Sequence, residues 1–307
     1  MCAGKILLHS PTSLVAMAVF LVCCKCTSAT QLDSVGGDEE SPTRVDVQSD
    51  LDVEEGERET DSWISLDWVD PLIGTGGYGF WGGGNCTPGA TRPFGMVKPS
   101  PDTQGTDGTP DPLHHAGYYY HDDWIAGFSQ THMHGVGITS YGHILMLPRL
   151  GRSLSGYSDQ DYRTRFYRNS ETVSPAYYAI TLEDDIRVEL TASDRVAWHR
   201  YTFPAESAEP RCVLIDVTHA LPFNIIADAR IDLDPEKGRL TVRFLQVGGF
   251  SFDIGGLTMY ASAAFPPNPS FIATWNTAGL EENRLSVEGS MMLGALLCYE
   301  NEDVLEL

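Results

Sequence analysis

Residues 176–192, AYYAITLEDDIRVELTA, contain a clear β-hairpin signal. Two runs rich in β-branched and aromatic residues, 176–182 and 186–192, flank the polar segment Glu183-Asp184-Asp185. Runs of this composition on either side of a three-residue polar loop are typical of two antiparallel strands. The stretch therefore predicts a hairpin, and the sequence on both sides of it has the same character.

The run RVAWHRYTF follows this hairpin and alternates in the manner of a strand. Successive side chains of a strand point to opposite faces of the sheet. Val196 and Trp198 therefore share one face. His199, Tyr201 and Phe203 share the other, so both faces carry apolar bulk.

Further short runs of strand composition continue to the end of the chain. They cover residues 212–217, 224–233, 239–247, 257–265, 271–275 and 290–300. No amphipathic stretch of helical length lies between them, and turn residues separate them. The sequence therefore predicts an all-β fold, a large antiparallel β-sandwich of the supersandwich type. Since no internal repeat is present, a propeller or solenoid is not expected.

The first 29 residues have the composition of an export signal. Lys5 precedes the apolar run of residues 14–24, and Thr27-Ser28-Ala29 supplies small residues for cleavage after the alanine. An eleven-residue run is short for a bilayer, so no stable membrane span is expected after cleavage. The alternative is an uncleaved anchor through residues 6–24, which contain no Lys, Arg, Asp or Glu. The sequence thus favours a secreted protein, with a membrane-anchored one as the alternative.

Residues 30–62 are predicted to form a disordered acidic linker. The segment from 31 to 62 has twelve Asp and Glu residues, two arginines and no aromatic residue. Such a composition buries too little apolar surface to offset the entropy of ordering. We therefore divide the chain into a signal (1–29), this linker and a β domain (63–307). The formal net charge of −22 argues against nucleic-acid binding, which requires a basic surface.

Three cysteines remain after the signal: Cys86, Cys212 and Cys298. Disulfides persist outside the cytosol, so one bridge can form within an exported chain, and the pairing stays open. Asn85-Cys86-Thr87 also fits the sequon for N-glycosylation. A glycan on Asn85 would place its loop at the surface, although an unused sequon is an equal alternative.

A series of short motifs fills residues 70–148. In order they are DPLIGTG (70–76), PGA (88–90), PFGMV (93–97), SPDT (100–103), GYYY (117–120), GFS (127–129) with TH (131–132), GVG (135–137), YG (141–142) and LMLP (145–148). In this order they resemble the start of glycoside hydrolase family 92. The resemblance covers roughly residues 66–307 and concerns the amino-terminal β-sandwich of the family alone.

The resemblance implies a function and an architecture. Members of the family are calcium-dependent exo-acting α-mannosidases that invert the anomeric centre, with the sandwich packed on a larger helical (α/α)6 catalytic domain. Inversion requires a carboxylic acid and a carboxylate about 6.5–9.5 Å apart. In the family these groups and the calcium ligands belong to the helical domain. The resemblance therefore implies α-mannoside glycans and a helical domain, in cis or in trans, as partners, with calcium held there and no catalytic residue or metal ligand in this chain.

Five aspartates lie near the motifs and are the candidates for acid–base chemistry: Asp102, Asp107, Asp111, Asp122 and Asp123. They stand beside Gly, Pro and Ser, where Asp commonly caps turns through its own backbone. We expect turn or surface roles for them.

Six of the nine histidines fall within thirty residues: His114, His115, His121, His132, His134 and His143. His132 and His134 would point the same way from a strand, as a metal pair does, although structural and sugar-contacting roles are the favoured alternatives. The resemblance implies that loops of the sandwich contact sugar, which makes His114, His115, His132 and His134 the candidate binding residues. The loop at 111–116 carries no Trp, whereas relatives often have one there.

Glycine- and proline-rich loops complete the candidate site. They lack the Lys-Ser/Thr of phosphate-binding loops, so Gly76, Gly77, Pro88, Gly89 and Arg92 are assigned to an interface loop that meets the catalytic domain. The sequence thus favours the carbohydrate-contacting domain of a secreted α-mannosidase. A stand-alone carbohydrate-binding or scaffold protein without catalysis is the alternative.

Overall fold

The computed structural model describes residues 17–18, 66–77, 83–300 and 302–307. Most of the predicted signal (1–29) and all of the predicted linker (30–62) lie outside these residues. In the described part, no helix has the length and apolar character needed to cross a membrane.

The described residues form short strands with very little helix. In chain order the strands are β1 (Met17–Ala18), β2 (Ser100–Gln104), β3 (Trp124–Ser129), β4 (Leu145–Leu150), β5 (Thr164–Arg165), β6 (Thr172–Ser174), β7 (Tyr177–Thr181), β8 (Arg187–Ala192), β9 (Ala197–Thr202), β10 (Arg211–Asp216), β11 (Ile225–Asp234), β12 (Arg239–Val247), β13 (Leu257–Ala264), β14 (Phe271–Asn276), β15 (Gly279–Glu282), β16 (Ser286–Gly289), β17 (Gly294–Tyr299) and β18 (Val304–Glu306). The helical elements are α1 (Asp159–Tyr162) and the 3-10 turns η1 (Leu66–Trp68), η2 (Arg168–Ser170) and η3 (Gly249–Ile254).

These strands make three sheets. The central sheet has the order β15-β14-β17-β10-β4-β3-β2, with β5 paired to β3. One flanking sheet has the order β1-β13-β12-β11-β16, and the other has the order β18-β9-β8-β7-β6. Apart from the parallel contact of β1 with β13, the pairs between named strands in the described part are antiparallel. The predicted all-β antiparallel fold is therefore confirmed.

The predicted hairpin forms between β7 and β8. The backbone N–H of Leu182 donates to the carbonyl of Ile186 at 2.9 Å, which closes the three-residue loop. Asp185 takes the left-handed conformation that this turn requires, with φ +62°. Strand β9 pairs with β8 and buries His199 and Tyr201 in the core, as its alternation predicts.

One predicted strand begins later than its composition suggests. The run at 290–300 enters the sheet only at Gly294, so its first four residues are not a strand. Met291 and Met292 have φ +71° and +49°. Left-handed backbone cannot continue a β ladder, which is why the chain turns there before β17 starts.

The core lies between the sheets and is continuous. Its largest fully buried side chains come from all three sheets and the loops beside them: Trp275, Tyr178, Tyr201, Phe128, Phe244, Ile125, Ile144, Leu145, Leu147, Ile180, Leu182 and Ile186. Every residue of β10 is buried because this strand lies in the interior of the central sheet. The loops at the sheet ends therefore project from a rigid base.

A disulfide joins two strands of the central sheet. Cys212 of β10 and Cys298 of β17 face each other in the ladder, with their Cα atoms 4.0 Å apart, and are bonded. Both side chains are fully buried. This settles the pairing that the sequence leaves open, and Cys86 is a free thiol.

Gly294 allows the close packing of β17 against its neighbours. A Cβ at this position would lie 2.2 Å from Cζ2 of Trp275 and 2.3 Å from the carbonyl oxygen of Ile215. We expect Gly294→Ala to lower the free energy of unfolding by about 1–3 kcal/mol, because overpacking forces rigid neighbours apart. Urea unfolding would measure the change. Gly137→Ala is the control, since a Cβ there meets nothing within 4 Å, and equal stability of the two variants would contradict the prediction.

Candidate functional site

A cavity of about 590 Å³ opens among the loops that precede and follow β2. Its lining residues are Gly74, Thr75, Gly77, Gly83, Asn85, Gly105, Thr106, Asp107, Thr109, Pro110, Asp111, Pro112, Leu113, His114, Tyr118, Tyr119, His121 and Asp122. We call it the main cavity. Its volume falls within the range of sites that hold small organic ligands.

His114 and Tyr119 form one wall of the main cavity. Their rings stack with centroids 4.1 Å apart and planes inclined by 15°. An Asx turn positions the histidine, because the carboxylate of Asp111 accepts a hydrogen bond from the N–H of Leu113 at 2.8 Å. The Nδ1 atom of His114 also lies 3.3 Å from Oδ2 of Asp122. The wall therefore combines a flat aromatic surface with polar edges.

Tyr119 is held to strand β2 and to the glycine-rich loop. Its backbone N–H donates to Oγ1 of Thr103 at 2.8 Å, and its hydroxyl donates to the carbonyl of Gly77. The Thr103 hydroxyl in turn donates to Oδ2 of Asp122 at 2.7 Å. These bonds link the wall to a buried strand, so the site is preformed.

A half-buried ion pair contacts residues that line the main cavity. Arg168 donates to Oε2 of Glu171 at 2.9 Å and to the backbone carbonyl of Asp122 at 2.8 Å. Tyr118 donates its hydroxyl to Oε1 of Glu171 at 2.9 Å. Burial and then the charge of Glu171 raise the pKa of Tyr118 far above its usual value, so its hydroxyl stays neutral.

A second cavity of about 150 Å³ adjoins the main one and shares Pro110, Asp111 and His114 with it. Asp102 and His219 also line this second cavity. A buried charge cluster therefore lies beside the candidate site.

Asp102 is the centre of that cluster. Its Oδ1 accepts from Nε2 of His132 at 2.8 Å, and its Oδ2 accepts from Nε2 of His219 at 2.9 Å. Burial alone would raise the pKa of Asp102, but the charges and hydrogen bonds of the two histidines hold it well below the usual range. Burial opposes charge on His219 as well, yet Asp102, with smaller effects of Asp159 and Asp216, raises the pKa of His219 to about 9.

Gly117 leaves the space that Asp102 occupies. Its φ is +83°, and a Cβ there would lie 2.3 Å from Oδ1 of the aspartate. The glycine that opens the GYYY motif is therefore required by a left-handed turn and by close approach to a buried carboxylate.

The four predicted binding histidines do not converge. His114 lines the main cavity, whereas His115 lies outside its lining, with its N–H directed to Oδ1 of Asn85 at 3.3 Å. His132 is buried, and its Nδ1 contacts the carbonyl of Lys98 at 2.7 Å. The surface of His134 is exposed to solvent, yet the protein around its ring desolvates the charged form and, followed by the charges of Lys98 and His132, lowers its pKa to about 4.

The structure also bears on a metal pair at His132 and His134. Strand β3 ends at Ser129, so these residues lie in a loop and the argument from strand alternation does not apply. Among the described residues, no group of three or more His, Cys, Asp or Glu side chains is arranged to hold a metal ion.

The prediction of turn roles for the aspartates is right for two of them and wrong for two. Asp107 and Asp111 cap turns, accepting from the N–H groups of Thr109 and Leu113. Asp102 and Asp122 are instead buried. Their histidine and threonine partners offset the cost of burying a carboxylate, which local sequence does not reveal. The backbone N–H of Asp123 donates to the carbonyl of Gln104 at 3.2 Å.

The predicted interface-loop residues fall in different environments. Gly77 lines the main cavity, as does Asn85 of the sequon, while Gly76 is half-buried beside Tyr120. Pro88 and Gly89 are buried, and Gly89 packs against the backbone of β2, so they present no exposed surface. Arg92 is exposed and pairs with Asp194 at 3.2 Å.

Sequence reasoning missed His219 and also Tyr119, which stacks on His114 in the wall of the main cavity. His219 lies 117 residues after Asp102, so no local motif connects the two. Tyr119 belongs to the GYYY motif, where three adjacent tyrosines gave no indication that Tyr118 and Tyr119 line the cavity.

Comparison with known proteins identifies relatives of this domain. The sequence model of the Glycosyl hydrolase family 92 N-terminal domain matches residues 68–306. A protein from Arthroderma benhamiae named "Uncharacterized secreted glycosidase" is 26% identical over 234 residues, which are 72% of this chain and 28% of that protein.

Solved structures show the same fold. A family GH92 α-mannosidase from Bacteroides thetaiotaomicron matches with a TM-score of 0.66 and 28% identity, over 78% of this chain and 32% of that one. The same enzyme has also been solved with mannoimidazole. A GH92 inverting mannosidase of that bacterium matches in fold, with a TM-score of 0.62 and 23% identity over 78% of this chain and 31% of its own. The chain thus spans about a third of the length of each.

Proposed function

Since the chain belongs to glycoside hydrolase family 92 through its N-terminal domain, we propose that it is the carbohydrate-contacting part of a secreted exo-α-mannosidase. The enzyme would act on α-mannosides of the N-glycan or mannan type and invert the anomeric centre. Its acid, its base and its calcium ion would be supplied by a helical domain, in cis or in trans. The observation that carries this proposal is the preformed main cavity in the matched domain.

The chemistry of the main cavity suits a sugar. Tyr119 and His114 offer an aromatic surface to the C–H face of a pyranose, and ring nitrogens, hydroxyls and carboxylates can bond its hydroxyl groups. His121 and Asn85 extend this polar lining. The domain can thus hold and orient a mannoside.

The carboxylates of the main cavity are poorly placed for catalysis. Asp107 and Asp111 use oxygen atoms to cap turns, and Asp122 accepts the Thr103 hydroxyl beside His114. An inverting glycosidase needs one carboxyl with its proton toward the leaving oxygen and another on a water. This favours a partner domain as the source of both groups.

An exposed apolar surface supports the existence of such a partner. Among the exposed large apolar side chains of the described residues, seven lie in the segments 223–225, 250–254 and 291–292, with 41–78% of their surface exposed: Phe223, Ile225, Phe250, Phe252, Ile254, Met291 and Met292. Three of these side chains, Ile225, Met291 and Met292, line a cavity that also contains His219 of the second cavity. We call the seven the apolar surface.

The backbone under the apolar surface is strained. Phe223, Met291 and Met292 have φ of +65°, +71° and +49°, which costs a residue with a Cβ free energy. Contact with a partner would offset this cost, so these exposed side chains indicate a surface that a partner covers. The apolar surface is therefore the proposed contact with the remainder of the enzyme.

The disulfide supports secretion. Cys212 and Cys298 form a buried bridge, and such bonds persist in oxidising compartments. An exported chain would acquire the bridge during folding.

Binding and hydrolysis assays on the purified chain test the proposal. We expect methyl α-D-mannopyranoside to bind in NMR titrations, and His114→Ala to weaken binding about tenfold, because the stacked wall is lost. His115→Ala is the matched control, since His115 lies outside the cavity lining. We expect no mannose to be released from α-mannobiose with or without added calcium. Calcium-dependent release by the chain alone would contradict the proposal, as would equal binding by the two variants.

A further inference from the structure

Trp198 is an exposed indole on a strand whose other face fills the core. Strand β9 directs His199 and Tyr201 inward, so the strand's alternation places Trp198 on the outer face, where 49% of its surface is exposed. A tryptophan left outside loses the free energy that burial would provide. Neither the core nor the main cavity uses this side chain.

Polar side chains surround Trp198 on the same face of the sheet. Thr191 lies directly opposite it on β8, and Tyr177 of β7 follows in the same row. In the next row, Arg200 lies opposite Glu189. Paired residues of neighbouring strands project from the same face, so the indole borders a polar strip.

The polar strip is tied together by hydrogen bonds. The Tyr177 hydroxyl donates to Oε1 of Glu189 at 2.8 Å, and Nε of Arg200 donates to Oε1 of Glu306 at 2.8 Å. Oε2 of Glu189 lies 3.9 Å from a guanidinium nitrogen of Arg200. These hydrogen bonds and this ion pair hold donors and acceptors in the cavity that Trp198 also lines, before any ligand arrives.

Trp198 stands between two cavities. One has a volume of about 260 Å³ and is lined by the indole together with Tyr177, Glu189, Arg200 and Glu306. The other, of about 140 Å³, is also lined by Trp198, together with Met146, Ala263 and other residues. Sites for drug-sized ligands run to about 300–1,000 Å³, so the larger cavity suits a single ring.

We propose that Trp198 and the polar strip form a second carbohydrate site, which binds one pyranose ring of a neutral glycan. A pyranose has an apolar C–H face and a rim of hydroxyl groups. The indole face can stack on the C–H face, and Tyr177, Glu189 and Arg200 can form hydrogen bonds with the hydroxyl groups. Glu189 and Glu306 also line the cavity, and their negative charges disfavour an anionic ligand. No residue of the 260 Å³ cavity lines the main cavity, so the site goes beyond the function proposed above.

Affinity electrophoresis of the full chain in gels containing yeast mannan tests the site, with dextran as a second neutral probe. We expect the chain to be retarded, and Trp198→Ala to weaken this binding about tenfold. Trp198→Phe, which keeps an aromatic face, should retain most of it. Trp68→Ala is the matched control, because that tryptophan is 79% exposed at η1. Thermal unfolding of each variant confirms that it is folded.

The same gels separate this site from the main cavity. In a chain that carries His114→Ala, the further change Trp198→Ala should still weaken the retardation, whether or not the proposal for the main cavity holds. Binding by Trp198→Ala equal to that of the wild-type chain would overturn the inference. Absence of retardation by both probes would overturn it too, as would self-association, seen by sedimentation, that is lost in Trp198→Ala without any sugar binding.

Discussion

Removing the disulfide by the double change Cys212→Ala and Cys298→Ala is expected to lower the free energy of unfolding by about 2–5 kcal/mol. The bridge links residues 86 positions apart, so its loss frees a long loop in the unfolded chain. It also joins β10 and β17 at the middle of the central sheet, where both side chains are buried. Loss of the two sulfur atoms therefore leaves a gap in the core.

Urea unfolding followed by tryptophan fluorescence would measure this effect. Cys86→Ala is the matched control, because that cysteine is free and half-buried, and we expect a much smaller change. Reducing agent should lower the stability of the wild-type chain toward that of the double variant and leave the double variant unchanged. A double variant as stable as the wild type would show that the bridge does not support the fold.

Replacing Asp102 with alanine is expected to destabilise the chain by about 3–5 kcal/mol, because breaking a buried ion pair leaves an unpaired charge. His132 and His219 would both lose their acceptor while remaining buried. Asp107→Ala, at an exposed turn, is the control and should cost about 1 kcal/mol or less. Equal losses in the two variants would contradict a stabilising role for the cluster.

The pH dependence of stability gives a second readout of the Asp102 cluster. The pKa of His219 rises from 6.5 to about 9 on folding, so its contribution is complete below pH 6.5 and is lost as the pH rises through 9. The pKa of Asp102 falls below its usual 3.8, so its contribution is lost as the pH drops below that value. Asp102→Asn should flatten the fall in stability above pH 6.5. An unchanged slope in that variant would contradict the assignment.

Other buried histidines act in the opposite direction. Burial is the main cause that lowers the pKa of His143 and His199 to about 3. Protonation therefore favours the unfolded chain, and their contribution is lost as the pH falls below 6.5. Together with His219, these groups place the greatest stability near neutral or slightly acidic pH.

Local composition and alternation were enough to predict β7 to β14 and β17, whereas β2 to β6, β15, β16 and β18 were not predicted. The hairpin of β7 and β8 and the alternation of β9 follow from side-chain direction alone, because successive residues of a strand face opposite ways. The prediction fails at residues 290–293, whose composition resembles a strand but whose left-handed backbone turns the chain. A backbone angle imposed by packing has no counterpart in hydrophobic pattern.

The candidate site was predictable only in part. Motifs in residues 70–148 led to His114 and to the loops around it, since those residues are close in sequence. Asp102 was interpreted as a turn residue because its neighbours are turn formers, yet strand β2 carries it into the interior. Its partner His219 comes from a loop after β10, which no local spacing could connect to it.

Composition and short-range pattern were therefore enough to predict the fold class, and the resemblance of the motifs in residues 70–148 indicated the family and the segment of the candidate site. Which cysteines bond, which aspartate carries a buried charge, and which tryptophan stands outside the core are settled by three-dimensional packing. The physical reason is that these properties depend on contacts between residues far apart in the chain, such as Cys212 with Cys298 and Asp102 with His219. Burial and partners, rather than neighbours in sequence, set the energy of each of these groups.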